Sequence, residues 1–210
     1  MPVTVKLTEA STLTDLTPAV EAIQRGGLVV FPTDTLYALG CDGFNPHAVR
    51  ALARVKRRPA DKPFALLVPS VEAVGRVAAA VSDEARRLMD TFWPGGLTII
   101  LPRHPDLPEV TVGGGATVGV RQPNDRVAVA LMALSGCLLC GPSANLGGEA
   151  APSSVAGLAW ELIASTDVIL DRGERLGQPS TLIDLTTQPY RLLREGVVTR
   201  ERLREVLGAA

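Results

Sequence analysis

Short apolar runs alternate along the chain with polar segments rich in Gly and Pro. Apolar residues at helical spacing, preceded by capping residues, predict seven helices. The first follows Thr17-Pro18 and ends at Gly26-Gly27, and the second begins at Asn45-Pro46 and ends near Val55. The other five are expected over residues 71–79 after Ser70, 82–92, 124–134 after Asn124, 154–164 and 199–207.

Runs of β-branched and other apolar residues predict the strands between these helices. The strands are expected over residues 28–31, 64–68, 97–101, 117–120, 137–140 and 168–170, and in a late hairpin with arms 181–185 and 191–193. Helices and strands alternate without a composition break or a low-complexity linker. This pattern predicts a single α/β domain.

The composition narrows the possible function classes. The chain has 210 residues and a net charge of −1, and it is 46% hydrophobic but only 4% aromatic. It can bury a sizeable core, built mainly from Ala, Val and Leu. Few aromatic residues argue against an RNA-binding sheet with exposed rings, and a pI near 6.1 argues against a dedicated nucleic-acid binder.

Cysteine usage and the N-terminal sequence bear on the cellular compartment. The three cysteines do not form a disulfide framework, which favours a reducing cytoplasm. Residues 1–9 lack the charged and apolar regions of a signal peptide, and no apolar run approaches the ~18 residues of a membrane span. A cytoplasmic location without membrane association is expected.

A basic cluster stands out in this otherwise neutral chain, because six residues from Arg50 to Lys62 are Lys or Arg. Such a cluster beside a strand can hold a polyphosphate or a nucleic-acid backbone, although a solvated helix face gives the same pattern. If the chain is extended there, Lys56 and Arg58 point to the same side and could clamp adjacent phosphates.

Other polar segments each follow an apolar strand, so they could converge on one edge of the sheet. Thr33-Asp34-Thr35 could hold the amine or carboxylate of a small ligand, or could form a turn that satisfies its own backbone. Ser143 and Asn145 precede two glycines that would let the backbone approach a base, ribose or phosphate. The remaining polar positions of interest are Arg121, Ser180 and Arg194.

The residues of several common active sites are absent from the sequence. His47 and His104 are the two histidines, which argues against a Ser-His-Asp triad and against a three-His metal site. Cys137-x-x-Cys140 has half of a zinc spacing, but the two intervening leucines indicate a core strand. No protein-held metal is expected, and no side chain stands out as a nucleophile or general base.

Seven motifs occur in an order that is typical of one family. They are Pro-Thr33-Asp-Thr-Leu-Tyr-Ala-Leu-Gly, Lys56-x-Arg58-Pro-x-x-Lys-Pro, Trp-Pro-Gly-Gly-Leu-Thr, Val-x-Val-Arg121-x-Pro, Pro-Ser143-Ala-Asn145-x-x-Gly, Pro-Ser180-Thr-x-Ile-Asp and Arg194-x-Gly. Over roughly residues 15–207 the chain resembles the short form of the YrdC/TsaC family of L-threonylcarbamoyladenylate synthases. The resemblance implies one YrdC-like domain over residues 1–210, an open twisted mixed sheet flanked by helices, with a large concave cationic cavity.

The resemblance also implies a reaction. L-threonine, bicarbonate and ATP would give threonylcarbamoyl-AMP, pyrophosphate and water, for the threonylcarbamoyl modification of adenosine 37 in tRNA. Mg²⁺ would accompany ATP with few protein ligands. The implied partners are a TsaD-type transferase complex and, in the cavity, tRNA or double-stranded RNA.

Site residues follow from the resemblance, position by position. Thr33, Arg121 and Ser180 would contact threonine. The residues that would contact ATP are Lys56, Arg58, Thr117, Ser143, Asn145 and Arg194, with Lys62 as a weaker candidate. Lys56 and Arg58 would act as catalytic residues by stabilising the growing phosphate charge, which fits a reaction driven by positioning and charge neutralisation.

Two other functions stay open. Ala38-Leu39-Gly40-Cys41 is closer to the YciO paralogue, and a YciO-like protein would bind RNA without synthase activity. That paralogue, however, lacks the Lys-x-Arg and Ser-x-Asn pairs present here. The other alternative is a carbamoyl-adenylate-forming domain with another acceptor, as in hydrogenase maturation. Such domains, however, sit within much larger chains.

Overall fold

A twisted mixed sheet flanked by helices forms the protein, as the family resemblance implies. The computed structural model describes residues 1–208. The strands within this range are β1 (Val3–Lys6), β2 (Val29–Pro32), β3 (Tyr37–Asp42), β4 (Leu66–Leu67), β5 (Leu97–Pro102), β6 (Thr117–Arg121), β7 (Leu139–Cys140), β8 (Val168–Asp171), β9 (Thr181–Asp184) and β10 (Arg191–Arg194). The α-helices are α1 (Thr17–Gln24), α2 (Pro46–Val55), α3 (Asp83–Phe92), α4 (Arg126–Ser135), α5 (Trp160–Ala164) and α6 (Arg200–Leu207).

The strand order in the sheet is β1-β8-β2-β3-β7-β4-β6-β5-β9-β10. The pairs β1–β8, β8–β2, β4–β6 and β5–β9 are parallel, and the other neighbours are antiparallel. The predicted late hairpin is confirmed as β9 and β10. This order places β4, β6, β5 and β9 side by side, although they come from distant parts of the chain.

Local capping explains where three of the helices begin. The Asn45 side chain accepts hydrogen bonds from the backbone N–H groups of His47 and Ala48 at the start of α2. Ser82 caps α3, and Thr199 caps α6, each through its hydroxyl. These side chains satisfy N–H groups that have no partner inside the helix, so the predicted starts are confirmed.

Several predicted elements were wrong in type or extent. Residues 71–79 contain only a short 3₁₀ helix, Glu72–Arg76, without a side-chain cap from Ser70. Residues 154–164 divide into a 3₁₀ turn, Val155–Gly157, and α5. Asp125, not Asn124, caps α4, because its carboxylate accepts from the first N–H groups of the helix.

The predicted strands also needed correction. The strand predicted over 64–68 shortens to β4, and the one over 137–140 shortens to β7. The sequence prediction had missed β1 and β3. The middle of β3 is buried on both faces, so it lacks the alternation that marks a half-exposed strand.

Apolar side chains pack on both faces of the sheet and form two cores. On one face, Leu39 and Ile99 belong to the core that includes residues of α2, α3 and α6. On the other, Val29 and Phe31 belong to the core under α1 and α4. Both of these helices contact β2, and α1 also contacts β3 and β8. The candidate site lies on the continuation of this second face, over β4, β6, β5 and β9.

Candidate functional site

A cavity of about 320 Å³ lies on this open part of the sheet. Side chains at alternate strand positions point to the same face, so Thr98 and Ile100 of β5 and Thr117, Gly119 and Arg121 of β6 form its floor. The site therefore occupies a face of the sheet and not the single edge that the sequence suggested.

The structure brings together all nine predicted site residues. The larger cavity is lined by Lys56, Arg58, Thr117, Arg121, Ser143, Asn145, Ser180 and Arg194. Thr33 lines an adjoining recess of about 50 Å³, which shares Arg121, Ser143, Ser180 and Arg194 with the larger cavity. Lys62, the weaker candidate, does not line either space. None of the described residues that line the larger cavity is acidic.

Lys56 joins two distant turns at the wall of the cavity. Its Nζ donates to the backbone oxygens of Ser143 and Asn145, both at 2.6 Å, and lies 3.4 Å from Asn145 Oδ1. The residue is 4% exposed. Burial, together with the positive charge of Arg58, lowers the pKa of Lys56 to about 8. The ammonium is therefore still largely protonated near neutral pH.

The backbone around Lys56 is not extended, so the condition for the predicted alternation does not hold, although Lys56 and Arg58 do line the same cavity. Lys56 ends α2 in helical geometry, and Arg57 has a φ of 49°, in the left-handed region. This reversal turns the chain so that Arg58 reaches the cavity. The turn of Ser143 docks closely here, because a Cβ on Gly147 would lie 2.9 Å from the Lys56 carbonyl oxygen. Glycine is required at that position.

Arg58 is held at the cavity wall by its own loop. Its Nη2 donates to the Pro63 carbonyl at 2.7 Å, and its Nε donates to the Lys62 carbonyl at 3.3 Å. The guanidinium carbon lies 5.0 Å from the centre of the Phe64 ring, within cation–π distance. These contacts fix the guanidinium plane and leave Nη1 without a partner in the hydrogen bonds of residues 1–208.

Arg121 forms a buried ion pair that the sequence did not predict. Its Nη2 lies 2.6 Å from Asp34 Oδ1, Nη1 donates to Thr35 Oγ1 at 3.0 Å, and Nε donates to the Gly95 carbonyl at 2.9 Å. Burial lowers the pKa of Arg121, and Asp34 opposes that shift. Asp34 and Thr35 thus belong to the site. Their position beside Thr33, directly after β2, was the available signal.

The hydroxyl of Thr33 is engaged within its own turn. It donates to the Leu36 carbonyl at 2.7 Å and accepts from the N–H groups of Thr35 and Leu36. The alternative that this segment satisfies its own backbone therefore holds for Thr33. The turn nevertheless fixes Thr35 and Asp34 where they meet Arg121.

Ser180 and Arg194 close the other side of the recess. The Ser180 hydroxyl lies 2.9 Å from that of Thr98, and Arg194 donates through Nε to the Ser180 carbonyl at 3.0 Å and through Nη2 to its hydroxyl at 3.3 Å. Arg194 and Arg121 are close enough that the charge of Arg121 contributes, after burial, to a lowered pKa of Arg194. The recess thus presents two guanidinium groups and several hydroxyls, which suits a small ligand with a carboxylate.

The described residues offer neither a cluster of metal-binding side chains nor a membrane-spanning helix. Among residues 1–208, no group of three or more His, Cys, Asp or Glu side chains is arranged to hold a metal ion. In the same range, every helix is too short or too polar to cross a bilayer.

Comparison with known proteins places the chain in a family. The Sua5/YciO/YrdC family model, described as "Telomere recombination", matches residues 21–196. A threonylcarbamoyl-AMP synthase from Pyrococcus abyssi is 40% identical over 187 residues, which are 89% of this chain and 55% of that protein. The chain thus spans about half the length of this relative.

Solved structures show the same relationship. P. abyssi Sua5, in a crystal structure described as complexed with L-threonine, aligns with a TM-score of 0.93 and 36% identity over 99% of this chain and 61% of its own. E. coli YciO aligns with a TM-score of 0.88 and 28% identity over 97% of this chain and 100% of its own. The chain belongs to the Sua5/YciO/YrdC family.

Proposed function

We propose that the protein is an L-threonylcarbamoyladenylate synthase, which forms threonylcarbamoyl-AMP and pyrophosphate from L-threonine, bicarbonate and ATP. The observation that carries the proposal is the meeting of Lys56 with the Ser143–Asn145 turn over one cavity, although these residues are 87 and 89 positions apart. The P. abyssi relatives bear the synthase name and a bound threonine, which supports the same assignment.

ATP fits the larger cavity in this proposal. Lys56 and Arg58 supply positive charge for the phosphates, and Ser143, Asn145 and Thr117 supply hydrogen-bonding groups for the nucleotide. A volume of about 320 Å³ lies at the lower end of the range for ligand sites. Arg194 lies between this cavity and the recess, where it can contact both the nucleotide and the amino acid.

Threonine binds where the recess opens into the cavity. Arg121 and Arg194 face its carboxylate, and Thr33 and Ser180 lie beside its hydroxyl. The amine of threonine attacks bicarbonate and releases water to give a carbamate. A carbamate oxygen then attacks the α-phosphorus of ATP, the bond to the β-phosphate oxygen breaks, and pyrophosphate leaves. The side chains position the reactants and neutralise charge, and no protein nucleophile is used.

Mg²⁺ enters as part of the ATP complex in this proposal. Mg²⁺ prefers carboxylate and phosphate oxygens, and the described residues that line the cavity offer hydroxyls and carbonyls but no carboxylate. The protein residues therefore do not fit a resident Mg²⁺ site. We assign the metal no step that depends on a protein ligand.

In this proposal, a TsaD-type transferase complex in the cytoplasm uses the product to modify tRNA. A mixed carbamic–phosphoric anhydride is easily hydrolysed, so a transferase that accepts it promptly is the natural next step. Binding of tRNA or double-stranded RNA is a separate element of the proposal, which rests on the basic residues near the cavity mouth.

Mass spectrometry of the nucleotide products tests the proposal directly. Incubation with ATP, L-threonine and bicarbonate should give threonylcarbamoyl-AMP, and pyrophosphate release should require both threonine and bicarbonate. Pyrophosphate release that ignores threonine would refute the synthase. RNA binding that Lys56→Ala abolishes, in a wild type that makes no adenylate, would favour the YciO-like alternative.

A further inference from the structure

A second concavity adjoins the cavity on the other side of Arg58, and we call it the outer groove. Its volume is about 410 Å³. The basic side chains that line it are Arg50, Arg54, Arg57, Arg58 and Lys62. Arg58 and Phe64 line both the outer groove and the cavity, so the two spaces are contiguous.

Among the described residues, the cations of the outer groove have no carboxylate partners. Elsewhere in the chain Arg25, Arg121 and Arg172 form ion pairs. Within residues 1–208, none of the five groove cations forms one. The neighbouring carboxylates in the sequence, Asp61 and Glu109, do not line the groove. The groove therefore presents uncompensated positive charge.

The walls of the outer groove strengthen the effect of that charge. Apolar residues such as Ala53 and Val110 form part of the lining. A cleft with charges of one sign and walls of low dielectric focuses the field and raises the local concentration of counter-ions. The groove is thus suited to a small, highly charged anion.

The arrangement of these cations destabilises the fold locally. Arg50 and Arg54 are four residues apart in α2, a spacing at which like charges destabilise a helix. Arg57 adopts a left-handed conformation, with a φ of 49°, that residues other than glycine rarely adopt. An anion bound among these cations relieves their mutual repulsion.

We infer that the outer groove binds the pyrophosphate product on its way out of the cavity. This inference rests on the proposed function, in which the phosphates of ATP lie at Lys56 and Arg58. After the bond to the α-phosphate breaks, pyrophosphate is the group nearest Arg58, and the next cations along the surface are those of the groove. Transfer into the groove separates pyrophosphate from the adenylate and opposes the reverse reaction.

Calorimetric titration with pyrophosphate tests the inference in the presence of saturating α,β-methylene-ATP, an analogue that fills the cavity and cannot release pyrophosphate. The wild type should still bind pyrophosphate. Arg50→Glu/Arg54→Glu, two exposed positions outside the cavity, should weaken this binding at least tenfold. The matched control is Arg200→Glu/Arg204→Glu, which makes the same charge change at the same spacing on α6 and should leave it unaltered.

A functional readout accompanies the binding measurement. Added pyrophosphate that fills the groove should block the exit of newly formed pyrophosphate. This inhibition, which is noncompetitive with ATP, should require about tenfold more pyrophosphate in Arg50→Glu/Arg54→Glu, a change of about 1.4 kcal/mol. The KM for threonine should stay unchanged, because neither position lines the recess.

The outcomes separate this inference from the proposed function. The groove site is overturned if the analogue abolishes pyrophosphate binding, or if Arg50→Glu/Arg54→Glu binds pyrophosphate like the wild type. If the protein still forms the adenylate in that case, the proposed synthase function is retained. Conversely, binding that depends on Arg50 and Arg54 in a protein that forms no adenylate would support the anion site and refute the synthase.

Discussion

The ammonium of Lys56 lies 2.6 Å from the carbonyl oxygen of Ser143, a residue 87 positions later in the chain. A buried ammonium with backbone acceptors acts as a structural link between two turns as well as a positive charge. Basic clusters are usually solvated, and exposed cations contribute little to stability. In the structure this holds only for the outer residues of the basic cluster, because Lys56 is buried.

Replacing Lys56 by Met should affect both stability and activity. The Ser143 and Asn145 carbonyls would lose their donor, and an unpaired buried polar group costs about 1–3 kcal/mol. Adenylate formation should also fall by about 10²-fold or more, because phosphate charge is no longer neutralised. Urea denaturation and the product assay measure the two effects separately.

Arg58→Ala provides the comparison for Lys56→Met. Arg58 bonds two carbonyls of a loop on the surface, so its removal should lower the free energy of unfolding by less than Lys56→Met does. Its effect on adenylate formation should be similar, about 10²-fold. Wild-type stability in Lys56→Met, or a larger loss in Arg58→Ala, would contradict the structural role of Lys56.

The capped helices show how much of the fold local sequence can predict. Asn45, Ser82 and Thr199 identify their helices because a cap and the helix it starts are adjacent in the chain. By contrast, β3 depends on partners in β2 and β7, and its burial on both faces removes the local pattern. Because this pairing is non-local, the sequence of β3 lacks the apolar–polar alternation that would identify it as a strand.

In the candidate site, too, the local features were predictable from the sequence and the long-range contacts were not. Ser143 and Asn145 were predictable as polar residues after a strand, but their contact with Lys56 depends on the docking of two distant turns. The family resemblance, not spacing, brought these residues into one prediction. Asp34 was not part of that prediction, because its role depends on Arg121, which β6 places beside it.

The pH dependence of nucleotide binding should report the protonation of Lys56. Its pKa of about 8 lies below the ordinary value of 10.5. Loss of the charge as the pH rises through about 8 should weaken binding of α,β-methylene-ATP, as measured by calorimetry between about pH 7 and 9.5. Lys56→Arg keeps its charge, so the weakening above pH 8 should be absent in that variant.

Stability should change with pH in the opposite direction. Between about pH 8 and 10.5 the unfolded state holds the Lys56 proton more tightly than the folded state, so the contribution of Lys56 to the free energy of unfolding rises with pH. The difference between wild type and Lys56→Met in urea denaturation isolates this contribution. If the difference does not change over this range, the assigned shift is wrong.

Asp34→Ala should destabilise the protein strongly. It leaves the buried guanidinium of Arg121 without its carboxylate, and breaking such a pair costs about 3–5 kcal/mol. The KM for threonine should also rise, because Arg121 loses the partner that orients it. Thermal denaturation of Asp34→Ala and of Asp34→Ala/Arg121→Met makes the test. The double variant, without an unpaired charge, should regain part of the stability, and an equal loss in both would argue against a charge effect.

Tyr37→Phe should specifically weaken threonine binding. The Tyr37 hydroxyl donates to the Gly173 carbonyl at 2.7 Å and accepts from the Arg172 N–H at 2.9 Å. These bonds hold the loop that leads to Ser180, and Gly177 of the same loop bonds the Thr35 carbonyl. A looser loop should raise the KM for threonine about tenfold, equivalent to about 1.4 kcal/mol, and leave the affinity for α,β-methylene-ATP unchanged.

Thr166→Val is the matched control for Tyr37→Phe. It removes a buried hydroxyl that donates to the Leu162 carbonyl at 2.7 Å, and Thr166 lines neither the cavity nor the recess. Both variants should lose stability, because each removes the hydrogen bonds of a buried hydroxyl. Only Tyr37→Phe should raise the KM for threonine. An equal rise in both would mean that general destabilisation, and not the position of the loop, sets the affinity for the amino acid.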